Sequence, residues 1–196
     1  MSIFFAISYR KNHKFFVILQ TILIVDSFIM KPIFLIGYMG AGKSVVGRAL
    51  ARGYGLEHID LDWRIEQRFR QKIVDMFAEI GEEGFRRRER NMLHEVMGME
   101  NVVVSLGGGT PCFFDNMEQM NAEGHTIYLQ CSPSVLIERI MHSQNKRPIV
   151  ANKTQEELTQ FVVEHLAERE KFYMQAQEVW SADELDLNRV QLVDYR

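Results

Sequence analysis

From residue 30 onward, short apolar runs alternate with longer stretches in which apolar residues recur every three or four positions. The short runs are IFLI (33–36), LEHID (56–60), NVVVSL (101–106), HTIYLQ (125–130) and AQEVW (176–180). Their length and their Val, Ile and aromatic content are those of buried strands. Between them lie KSVVGRALARGYG, WRIEQRFRQ, FRRRERNMLHEVMGM, SVLIERIMH and EELTQFVVEHLAEREKFYMQA, which carry helical spacing. Strands alternating with helices predict an α/β chain: a parallel sheet with helices on both faces and right-handed crossovers. The polar segment HSQNKRPIVANKTQ (142–155), punctuated by Pro148, sits between two helical patterns and is the expected mobile loop.

Composition narrows the function classes. The chain has 196 residues, 46% hydrophobic and 25% charged, which suits one globular domain with a real core. The net charge is -3 and the longest run of like charge is Arg86-Arg87-Arg88, so no nucleic-acid surface is expected. The two cysteines, Cys112 and Cys131, and the six histidines show no metal-ligand spacing. A reducing cytoplasm is the expected location. Residues 1–29 place a basic RKNHK before the apolar FFVILQTILIV. That run is short of the roughly 20 residues that span a bilayer, and no small-x-small cleavage site follows it. The expectation is that residues 1–29 are an extension outside the fold, that the domain occupies 30–196 from a natural start at Met30, and that no membrane is involved. No exposed apolar stripe stands out beyond the extension, so a monomer is expected.

The most specific chemistry lies at residues 37–44, GYMGAGKS, directly after the first strand and before a helix. This fits GxxxxGK[ST] with Gly37, Gly42, Lys43 and Ser44. Glycines let backbone N–H groups curl around phosphate oxygens, and the helix N-terminus adds its positive end. Lys43 reaches the β- and γ-phosphates of ATP and the Ser44 hydroxyl ligates Mg2+. The phosphoryl acceptor is a separate question. The second strand ends in HIDLDWRIE (58–66), with Asp60 and Asp62 one residue apart. At the carboxyl end of a strand one such carboxylate can hold magnesium through water while the other orients or deprotonates a hydroxyl. The competing role is a helix N-cap. Likewise the arginines of FRRRER (85–90) either form a solvated face paired with Glu82, Glu83 and Glu89, or supply one planar fork for a carboxylate. The run SLGGGTP (105–111) suits a backbone that a small ligand must approach closely.

Taken in order, GYMGAGKS, IDLD, MFAEIGEEGFRRRE, SLGGGT, KRPIV and EREKFY resemble the shikimate kinase family. The resemblance spans roughly residues 30–180. It implies a three-layer P-loop kinase fold with a five-stranded parallel sheet in the order 2-3-1-4-5, and ATP- and Mg2+-dependent phosphorylation of shikimate in aromatic amino acid biosynthesis. The resemblance further implies that Gly40, Ala41, Gly42, Lys43, Ser44 and Val45 cradle the nucleotide phosphates, with Arg139 a further nucleotide contact. Ser44 and Asp60 would serve the metal. Asp62 would bind the shikimate hydroxyls and act as base, and Arg86 and Arg169 would grip its carboxylate. Gly108 and Gly109 would meet it through backbone, while Phe77, Phe85 and Glu89 would line or support the pocket. Arg147 would close over both substrates from a lid at about 142–155. The C-terminal SADELDLNRVQLVDYR is shorter than the final helix usual in the family, which bears on stability and adenine binding. Trp63 is expected to pack in the core, and Cys112 to lie near the pocket without an activated thiol.

Two other readings share parts of the pattern. Another small-molecule P-loop kinase, acting on gluconate or a nucleoside monophosphate, would keep the phosphate loop and change the acceptor pocket. A nucleotide-binding switch would need no acceptor, which leaves the aspartate pair without a task.

Overall fold

The computed structural model describes residues 30–142 and 154–184. Five strands, β1 (Ile33–Ile36), β2 (Glu57–Asp60), β3 (Val102–Ser105), β4 (His125–Gln130) and β5 (Glu178–Ser181), form one sheet in the order β2-β3-β1-β4-β5. Every adjacent pair is parallel. This is the expected order. β1 lies at the centre, with all four residues buried, because a strand paired on both edges and covered on both faces has no side that tolerates a polar residue. β1 and β4 have the expected limits; β2, β3 and β5 run one or two residues off, most at β5, whose pattern of one buried residue among exposed neighbours reflects its place at the sheet edge.

The helices follow the strands: α1 (Lys43–Tyr54), α2 (Leu61–Phe69), α3 (Ile73–Met97), α4 (Asn116–Glu123), α5 (Pro133–His142) and α6 (Gln155–Tyr173), with a 3-10 turn at Thr110–Cys112. Two pieces of helix were not expected. The first eight residues of α3 precede a break at Gly81 (φ 69°, ψ 179°), and a non-helical glycine interrupts the apolar period there. The short α4 buries only Asn116, Met117 and Met120, too few to set a period. α6 opens with a capping box: Thr154 Oγ1 accepts from Glu157 N (3.2 Å), and Glu157 Oε2 accepts from Thr154 N (2.8 Å). α1 packs closely on the sheet at Gly47, where a methyl group would come within 2.6 Å of the His58 ring and 2.7 Å of Ser105 Oγ.

Trp63 corrects an expectation. It follows Asp62 on the first turn of α2 and is 63% exposed, because Leu61 and Ile65 take the buried phase of that helix. Among the described residues, no helix is long and apolar enough to cross a membrane.

Candidate active site

The carboxyl ends of β1, β2 and β3 are neighbours in the sheet, and each feeds one part of the site. After β1, Gly40 and Gly42 take φ values of 85° and 94°, conformations open to glycine and strained for other residues. Gly42 then caps α1 through its backbone, with no side-chain cap, so the start of the helix faces the loop it closes. Val45 N and Val46 N donate to Gly42 O. Lys43 Nζ donates to Gly37 O (2.8 Å) and Tyr38 O (3.0 Å), which holds the ammonium within the loop.

At the end of β2 the two aspartates divide. Asp60 Oδ2 accepts from Ser44 Oγ at 2.8 Å, while Asp60 Oδ1 accepts from Trp63 N at 3.2 Å. Asp60 is therefore an N-cap whose other carboxylate oxygen pairs with the Ser44 hydroxyl. A hydroxyl beside a carboxylate is a suitable donor set for a hard cation that keeps most of its water. Asp62 lies one residue into α2. The residue as a whole is exposed, yet protein atoms crowd its carboxyl group, which lies against Gly107. That crowding, with the nearby Glu89 and Asp60 charges, pushes its pKa up to about 6, against the opposing pull of Lys43 and Arg86.

After β3 comes the glycine run, and each of its glycines faces a different functional side chain. A methyl at Gly107 would come within 2.7 Å of Asp62 Oδ1 and 3.2 Å of Glu89 Oε1. One at Gly108 would lie 3.5 Å from both Arg169 Nη1 and Gly37 O, and 3.6 Å from Met39 N. One at Gly109 would lie within 2.5 Å of Arg86 Nη2. The loop is a bare backbone wall on which an aspartate, two arginines and the phosphate loop converge.

Arg86 is the member of its run that turns inward. It is 8% exposed, donates to Glu89 Oε2 (2.8 Å) and Glu82 Oε1 (3.2 Å), and sits 4.1 Å over the Phe113 ring. Phe85 and Phe77 complete the surround at 5.3 and 5.8 Å. Glu89, 1% exposed, also accepts from Thr110 Oγ1 (2.6 Å), so the guanidinium plane is fixed from two sides. Arg87 is exposed on Glu83, the surface pair that the alternative reading gave to the whole run. An open cleft of about 540 Å³ passes over Arg169, between Glu82 and Phe113. Cys112 lines it too, and burial raises its thiol pKa despite Arg169 and Arg86, which leaves it unactivated.

Because Arg86 has no room to retreat, Gly109→Ala displaces its guanidinium. The expected result is a rise of about tenfold or more in KM for a carboxylate acceptor, with KM for ATP unchanged. Steady-state kinetics with each substrate varied in turn checks this, and equal loss for both substrates would place the fault in folding instead.

Arg139 stands beside the phosphate loop, where a methyl group at Gly40 would come within 3.8 Å of its Cβ; it donates to Ala182 O (2.9 Å) and to the Cys131 thiol (3.4 Å), linking α5 to the chain after β5. Arg147, the rest of the 143–153 segment, residues 1–29 and the chain beyond Glu184 lie outside the described residues. Sequence reasoning took Gly107 and Thr110 only as part of the run 105–111 and passed over Phe113. Only the tertiary approach of α2 and α3 gives them a role.

A sequence profile described as shikimate kinase matches residues 39–192. The chain belongs to the shikimate kinase family. Among shikimate kinase relatives, the one from Phocaeicola vulgatus is 54% identical over 160 residues, covering 82% of this chain and 91% of its own. The shikimate kinase of Bacteroides thetaiotaomicron, solved as a crystal structure, superposes with a TM-score of 0.79 at 48% identity, covering 84% of this chain and 97% of its own. The shikimate kinase of Acinetobacter baumannii, solved in complex with shikimate, superposes with a TM-score of 0.71 at 29% identity, covering 83% and 89%.

Proposed function

We infer that this chain is a kinase that transfers the γ-phosphoryl group of ATP to a hydroxyl of shikimate, giving shikimate 3-phosphate. The observation that carries this reading is the glycine wall, which sets one carboxylate and two guanidinium groups beside the phosphate loop. That set is complementary to a small polyhydroxy carboxylate. Arg86 and Arg169 take its carboxylate, and Asp62 takes its hydroxyls.

In the transfer, the acceptor hydroxyl oxygen bonds to the γ-phosphorus as the bond to the ADP bridging oxygen breaks, and the hydroxyl proton passes to Asp62. No covalent protein intermediate is needed, so the work of the chain is positioning and charge neutralisation. Lys43 meets the growing charge on the transferred group and on ADP. The Glu89–Thr110 contacts keep Arg86 from drifting toward the phosphates. We assign Ser44 and Asp60 to Mg2+, Asp60 acting through water; when bound, the ion supplies charge neutralisation between the β- and γ-phosphates. The backbone of residues 40–45 cradles the phosphates, with Arg139 toward the nucleotide and Arg147 as the lid arginine. The catalytic domain begins at Met30 and works as a cytoplasmic monomer without membrane or nucleic-acid partners. In support, Cys112 and Cys131 are unpaired thiols, and the site groups among the described residues come from one chain.

The test is ADP release with Mg2+ and ATP, comparing shikimate, gluconate, nucleoside monophosphates and no acceptor, for the full chain and for residues 30–196. Stimulation by shikimate alone in both forms is expected. Stimulation by another acceptor instead would overturn the pocket assignment, and an inactive shorter chain would overturn the domain limit.

A further inference from the structure

Arg169 is spaced along α6 in a single stripe with Phe161, His165 and Tyr173, each four residues from the next, so all four face the same way. One turn after Arg169, the fully buried Tyr173 donates its hydroxyl proton to Gly108 O at 2.6 Å. One turn before it, His165 Nδ1 lies 2.9 Å from Tyr38 Oη, with the two rings edge to face at 5.6 Å. Phe161 backs the imidazole at 4.9 Å. Tyr38 is a phosphate-loop residue, 1% exposed, whose carbonyl receives Lys43. Its backbone therefore touches the group that handles ATP, while its ring touches the helix that carries an acceptor ligand. The two residues are separated by 127 positions in the chain.

We propose that His165 is a positioning residue for the acceptor: its hydrogen bond to Tyr38 fixes the Arg169 face of α6 to the phosphate loop. The proposal rests on the reading of Arg169 as a ligand of the shikimate carboxylate. Neutral imidazole is the form that accepts the tyrosine proton, and burial together with the Arg169 charge favours it, against Glu168 and Glu82. The pin matters because Arg169 is long and flexible. A guanidinium binds a carboxylate in two parallel bonds only when its stem is held; the Tyr173 hydroxyl, one turn after it, accepts a hydrogen bond from Arg169, and the His165 bond holds the helix face one turn before it.

The test compares His165→Leu, His165→Asn and Tyr38→Phe in steady-state kinetics, after wild type has shown shikimate-stimulated turnover. Absence of that turnover would count against the functional reading rather than this inference. Leucine fills the space without an acceptor, whereas asparagine returns an oxygen near the Nδ1 position. His165→Leu is expected to raise KM for shikimate about three- to tenfold, the size of one partly buried hydrogen bond, with its kcat and KM for ATP within about twofold. Tyr38→Phe should give the same rise, the double variant no more than either alone, and His165→Asn a return toward wild type. Three results would each overturn the proposal: an unchanged KM for shikimate in His165→Leu and Tyr38→Phe, an equal rise in KM for ATP, or a His165→Asn enzyme no better than His165→Leu.

Discussion

Replacing Lys43 by alanine lowers kcat for shikimate phosphorylation by about 10²–10³-fold or more, the loss expected when one preorganised charge is removed from a transition state. The ammonium is already inside the phosphate loop, on Gly37 O and Tyr38 O, so it needs only to re-aim when phosphate arrives. The substitution leaves the sheet, the glycine wall and Arg86 untouched. Shikimate binding, measured by calorimetry without nucleotide, should stay within about twofold, since Lys43 bonds carbonyls of the phosphate loop and reaches Asp62 through its charge. Turnover within tenfold of wild type would remove Lys43 from the reaction.

Asp62→Asn has the second large effect, and it separates function from stability. Under the proposed role of Asp62 as the group that takes the acceptor proton, it is expected to contribute about 10²–10⁴-fold to kcat. The amide keeps the shape and loses the basicity, so kcat falls by that order while ATP binding is retained. Stability moves the other way. The folded pKa of Asp62, about 6, stands above its ordinary value of 3.8 because protein crowding and the Glu89 and Asp60 charges disfavour the ionised form. The native state thus holds the proton more tightly than the unfolded state, and ionising Asp62 costs stability as pH rises from about 4 through 6. In metal-free protein at pH 7, Asp62→Asn should melt above wild type, and the gap should close as pH falls below 4. A lower melting point at pH 7 would mean that the carboxylate is held favourably. The pattern is that of a charge kept for chemistry at the expense of the fold.

What the sequence disclosed depended on how local each signal was. The phosphate loop was legible because its chemistry is contiguous: glycines, Lys43 and Ser44 stand within eight residues, between a strand and a helix. β1, β3 and β4 were legible because full burial leaves an unbroken apolar run. Asp60 was ambiguous between cap and ligand because one of its oxygens caps α2 while the other is left to face the Ser44 hydroxyl. Among Arg86, Arg87 and Arg88 the spacing alone did not choose. The choice came from family resemblance, and the structure gives its physical form, since Arg86 shares the buried face of α3 with Phe85 and Glu89. The start of α3 was hidden by the break at Gly81, and Trp63 was misjudged because large apolar residues are core by default while the phase of α2 points it outward. Contacts such as Tyr38 with His165 join distant segments and leave no periodic trace.

The glycine wall has a consequence for inhibitors and for the emergence of resistance. A compound that contacts a side chain can be evaded by changing that side chain. Residues 107–109 offer only backbone, and a methyl group added at Gly107 or Gly109 would collide with Asp62 or Arg86, while one at Gly108 would lie against Arg169 at ordinary contact distance. An inhibitor gripping the peptide groups of Gly107 and Gly109 would meet a surface that mutation cannot reshape without also displacing Asp62 or Arg86.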